Sequence, residues 1–78
     1  VPSPPDDWPA PGRYRHFKGP EYELLMVARD SETEEPVAVY RPLARPDSIW
    51  VRSLAMFVEQ VDGPDGRVAR FAYLGPVG

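Results

Sequence analysis

The chain has 78 residues and a mass of 8.8 kDa, enough for one small domain built on one core. Eleven prolines and six glycines disfavour long helices, and nine aromatic rings (two Trp, four Tyr, three Phe) supply the core material. The lack of cysteine excludes disulfide frameworks, thiolate zinc sites, iron–sulfur clusters and thiol nucleophiles, and a net charge of −3 argues against coating nucleic acid or an anionic membrane.

Residues 1–11, VPSPPDDWPAP, hold five prolines and two acids and read as an extended or disordered arm. Trp8 is its one large apolar group, placed to pin the arm to its own domain or to a neighbouring chain. A single domain is expected over residues 12–74, with a short tail over 75–78. GRYRHFKGP, from Gly12 to Pro20, crowds charged and aromatic residues between two glycines and reads as an edge strand. The near-continuous apolar run in Glu21 to Asp30 fits a strand buried on both faces or a short core helix, and its length and flanking turn signals favour the strand. Asp30 to Glu35 is a polar hairpin connector. Pro36 to Pro42, dense in Val and Tyr and closed by prolines, is a strand.

Leu43 to Ser48 must turn. The stretch from Ile49 to Val61 fits two patterns, one amphipathic helix or a strand followed by a helical turn. Ser53 is a good N-cap, which favours a strand through Arg52 and then a turn carrying Met56 and Phe57 into the core. Gly63-Pro64-Asp65-Gly66 is a turn signal. Beyond it, Arg67 to Tyr73 alternates as one strand with Ala69, Phe71 and Tyr73 on one face. The total is about five short strands and one helical turn, a mainly-β pattern that suggests a small barrel or roll.

GRYRHFKGPEYELL, SETEEPVAVY and WVRSLAMF together resemble a small bacterial family of uncharacterised one-domain proteins. The resemblance covers roughly residues 12 to 59 and implies an SH3-like β-barrel or roll with no established activity to inherit. Its recurrent positions correspond to Tyr14, His16, Phe17, Lys18, Gly19, Tyr22, Glu23, Ser31, Glu32, Thr33, Tyr40, Trp50, Val51, Arg52, Met56 and Phe57. The chain departs from the pattern at Asp30, at Ala44-Arg45-Pro46 and at Ser53.

Three kinds of chemistry compete. A binding or assembly module would act through an aromatic and charged face built from Tyr14, His16, Lys18, Tyr40, Trp50 and Arg52. Acidic residues Glu32, Glu34 and Glu35 beside such a groove suit a basic or proline-rich peptide. Alternatively, Arg13 to Lys18 interleaves cations with rings, as single-stranded nucleic acid binding requires. An enzyme centred on His16 ranks last, because no spacing brings Glu23 or Asp30 to that imidazole. Arg52 is placed either outward or inward against Glu23 or Glu59.

No cofactor or metal is expected, and no nucleophile elbow, phosphate loop or zinc motif is present. The longest aliphatic stretch, Leu24 to Ala28, is far shorter than the ~20 residues of a spanning helix. No secretory signal precedes it, so a cytoplasmic protein is expected. The partner is expected to be a protein or peptide, with exchange of the Trp8 arm between two copies as a route to a homodimer.

Overall fold

A computed structural model describes residues 8–77. Its strands are β1 (Gly12–His16), β2 (Glu21–Arg29), β3 (Pro36–Pro42), β4 (Trp50–Ser53), β5 (Gln60–Gly63), β6 (Gly66–Ala69) and β7 (Phe71–Gly75), with one helical turn, α1 (Leu54–Phe57). Five strands form an antiparallel sheet in the order β4-β3-β2-β1-β7, and β5 and β6 make a separate hairpin. The result is a mainly-β roll in which α1 lies over the inner face of the sheet. The proline-rich segment read as an arm falls largely outside the described residues.

Sequence patterning fixes what each strand buries. Tyr14, Leu24, Ala38 and Tyr40 point inward from β1, β2 and β3, and meet Leu54 and Phe57 of α1 and Phe71 of β7. The Ser53 side chain accepts from the Met56 N–H at 3.3 Å, so the cap expected from the sequence starts α1. Phe57 enters the core, but Met56 is exposed: a single helical turn presents only one side to the sheet.

Pairing corrects three expectations. β1 is not an edge strand but lies between β2 and β7. β2 is not buried on both faces, because its register against β3 slips between Leu24 and Met26, which makes Leu25 an extra, bulged residue. The bulge resets parity: Val27 faces inward opposite Ala38, and Met26 joins Val39 and Val51 on the outer face. Nor is the stretch from Arg67 to Tyr73 one strand. The Arg70 N–H donates to the Glu59 carbonyl and the Arg70 carbonyl accepts from Phe17, so the chain leaves the hairpin and joins the main sheet at that residue. Ala69 therefore lies exposed while Phe71 is buried.

Gly12 is buried with φ +148°, and a Cβ there would come within 2.6 Å of the Gly75 carbonyl oxygen. Only glycine allows β1 and β7 to approach so closely.

Candidate functional site

Rings gather at one end of the roll. Trp50 lies opposite Tyr40 on the inner side of the sheet, and their ring centroids are 6.1 Å apart in an edge-on arrangement. Tyr22 touches both, at 5.6 Å from Tyr40 and 6.2 Å from Trp50. His16 continues the row, 5.0 Å from Phe71 and 6.3 Å from Tyr22. Tyr40 is sealed in the core, while Trp50 remains 41% exposed. The packing therefore holds an indole rigidly with its outer part open to solvent.

Cations surround these rings. Arg52 is two residues beyond Trp50 on the same side of β4, and its Nε donates to the Tyr40 hydroxyl at 3.4 Å. It pairs with neither Glu23 nor Glu59, since Arg41 holds Glu23 at 2.7 Å and Arg70 holds Glu59 at 3.2 Å. Among the described residues, Arg52 and Lys18 form no salt bridge. The Arg70 Nε is buried with no hydrogen-bond acceptor.

His16 Nδ1 accepts from the Lys18 backbone N–H at 3.2 Å, which leaves the ring hydrogen on Nε2. Burial, then the charges of Arg70, Arg52 and Lys18, hold this imidazole below its ordinary value of 6.5. No carboxylate donor set assembles around it. Asp30 closes a turn by accepting from the Glu32 and Thr33 N–H groups, and no three His, Asp or Glu side chains converge among the described residues.

The six candidate side chains therefore divide. His16, Lys18, Tyr40, Trp50 and Arg52 share one end of the roll, and Tyr14 faces the other. The Tyr14 hydroxyl donates to the Ala10 carbonyl at 2.6 Å, and burial, then Tyr73, push its ionisation above the usual value. Trp8 packs against that part of the core with the Arg29 guanidinium 5.4 Å from its ring, so the indole is engaged within its own chain.

Two other features read from the sequence lie apart from these rings. Arg13 and Arg15 both engage Glu21, at 2.7 and 3.3 Å, on the opposite side of β1 from Tyr14, so residues 13–18 present no single basic stripe. The acidic connector sits at the far end of the β2–β3 hairpin. Pro36 and Tyr40 are four residues apart, which places about 13 Å of strand rise between that loop and the Tyr40–Trp50 pair.

Sequence reasoning missed Arg70 and Phe71 as neighbours of His16. No local signal marks them, because the break at Arg70 that brings them in is a property of pairing.

These features define a small mainly-β domain with a ring-and-cation face at one end of an open sheet. Residues 12–73 match the family described as "Protein of unknown function (DUF1653)", and the chain belongs to that family. It is similar to the crystal structure of a protein of the same family from Bordetella bronchiseptica, with 42% identity and a TM-score of 0.79 over 88% of this chain and 91% of that one. Among curated proteins none matches the chain.

Proposed function

We propose that the chain is a non-enzymatic binding or assembly module of the SH3-like kind. Its docking face carries His16, Lys18, Trp50 and Arg52, with Tyr40 as the buried wall behind them and Tyr14 bracing the core from the far end. The observation that carries this reading is the state of Trp50: a large ring held by Tyr40 and Tyr22, half open to water, next to an arginine with no carboxylate partner. Pre-positioned aromatic and arginine side chains are the residue types that dominate binding energy at interfaces.

The test is a fluorescence titration of the Trp8→Phe protein, in which Trp50 is the sole indole, against peptide and protein pools. A change in Trp50 emission that disappears in a second variant, Arg52→Gln, supports the proposal. Emission indifferent to every pool removes it.

A further inference from the structure

We infer that the partner is an extended acidic peptide segment that adds as a sixth strand to the free edge of β4, with a carboxylate on Arg52 and an apolar or aromatic residue on Trp50. This rests on the binding reading above and names its ligand.

The first ground is the edge itself. β4 ends the sheet and pairs only with β3, in a register that runs without interruption from Trp50 to Ser53. Outside that ladder no backbone hydrogen bond among the described residues involves residues 50–52, and Ser53 hands its carbonyl to the first turn of α1 as its N-cap, so the groups of residues 50–52 that face away from β3 have no backbone partner there. Edge strands are blunted by lysine, proline, bulges, shortness or inward-pointing charge. β4 has no lysine, proline or bulge, though it is only four residues long and carries Arg52 on its inner side. The opposite edge, β7, is interrupted by a register shift that leaves Leu74 unpaired and is followed by Pro76. β4 is the smoother template for strand addition.

The second ground is what β4 displays. Residues two apart share a face, so Trp50 and Arg52 stand side by side on the inner side, opposite Tyr40 and Ala38. An incoming strand has the same period and meets them with alternate side chains, one for the ring and one for the guanidinium.

The third ground is charge. Arg52 and Lys18 are unpaired among the described residues, and Glu59, the nearby carboxylate, is already held by Arg70. Arg13 and Arg15 share the single Glu21 carboxylate on the side of β1 away from Tyr14, so they do not extend Arg52 into a continuous track, which suits a single carboxylate and not a polyphosphate backbone. The planar guanidinium fork matches carboxylate geometry.

The probes are acetyl-Thr-Phe-Thr-Glu-Thr-amide, its Glu-to-Lys counterpart, the Glu peptide N-methylated at alternate amides, phenyl phosphate and a short oligothymidylate, each titrated into the Trp8→Phe protein. The Glu peptide is expected to bind at least roughly tenfold more tightly than the Lys peptide, as a charge-assisted pair implies. It should slow hydrogen exchange at the β4 amides facing away from β3, and lose its charge preference in Arg52→Gln but not in Arg52→Lys. Equal binding of the Lys or N-methylated peptide overturns strand addition by an acidic segment. A Trp50 response confined to phenyl phosphate or the oligonucleotide overturns it too, while leaving the face a binding site. Silence from every probe and every pool removes both readings.

Discussion

Phe57 lies flat on Phe71, ring planes 8° apart and centroids at 4.3 Å, and this pair joins α1 to β7. Both rings are buried, and Tyr14 meets Phe57 edge-on at 5.3 Å. In a chain without disulfides the aromatic cluster is the main source of cohesion. Phe57→Ala is expected to cost about 3–5 kcal/mol, enough to unfold much of a domain this small. Chemical denaturation measures it. A loss below about 1 kcal/mol would show that the stack is not the keystone of the core.

Tyr14 ties the entering chain to the domain through its bond to the Ala10 carbonyl. Tyr14→Phe keeps the ring and removes the donor, so a loss of about 1 kcal/mol is expected. Trp8 emission should shift to the red as its anchoring loosens. Unchanged emission would mean that Trp8 packing holds the segment without the hydroxyl.

Gly12→Ala forces a Cβ against the Gly75 carbonyl at a φ that disfavours any side chain. The expected cost is about 2 kcal/mol or more, with added strain in the β1–β7 pairing. Gly19→Ala is the comparison: it shares a positive φ but meets nothing within 4 Å, so it should be the milder change.

The depressed His16 ionisation makes stability depend on pH. The folded protein binds fewer protons at His16 than the unfolded chain does. The resulting contribution is complete above pH 6.5 and is lost as pH falls through the lower folded value. Removing one neighbouring charge in Arg52→Gln should raise the imidazole toward its ordinary range, read by NMR titration of the ring. Arg70, held by Glu59, and Lys18 continue to act on it. An identical titration in wild type and variant would place the guanidinium too far away to matter.

Much of the fold was legible because its signals are local. Gly19-Pro20 and Pro36 to Pro42 delimit strands by fixing φ and removing donors. Gly63 to Gly66 supplies the turn between β5 and β6, and the Ser53 hydroxyl caps whatever follows it. The crowding of Tyr14, Tyr40, Trp50 and Phe57 among short β-favouring runs pointed to an aromatic core in a small roll. Five of the six candidate side chains do fall at one end of it. Tyr14 does not: it sits two residues before His16 on β1 and its hydroxyl turns to the Ala10 carbonyl, a contact that no local signal marks.

From the sequence alone come the strand-forming segments, the helical cap and the absence of thiol chemistry, since each depends on a residue and its immediate neighbours. The tertiary structure alone decided that β1 is interior and β4 an edge, that a bulge at Leu25 turns Met26 outward, and that Arg70 reaches His16. Those outcomes belong to pairings between segments far apart in the chain. A slip of one residue in such a pairing exchanges the faces of a whole strand while leaving every local preference satisfied.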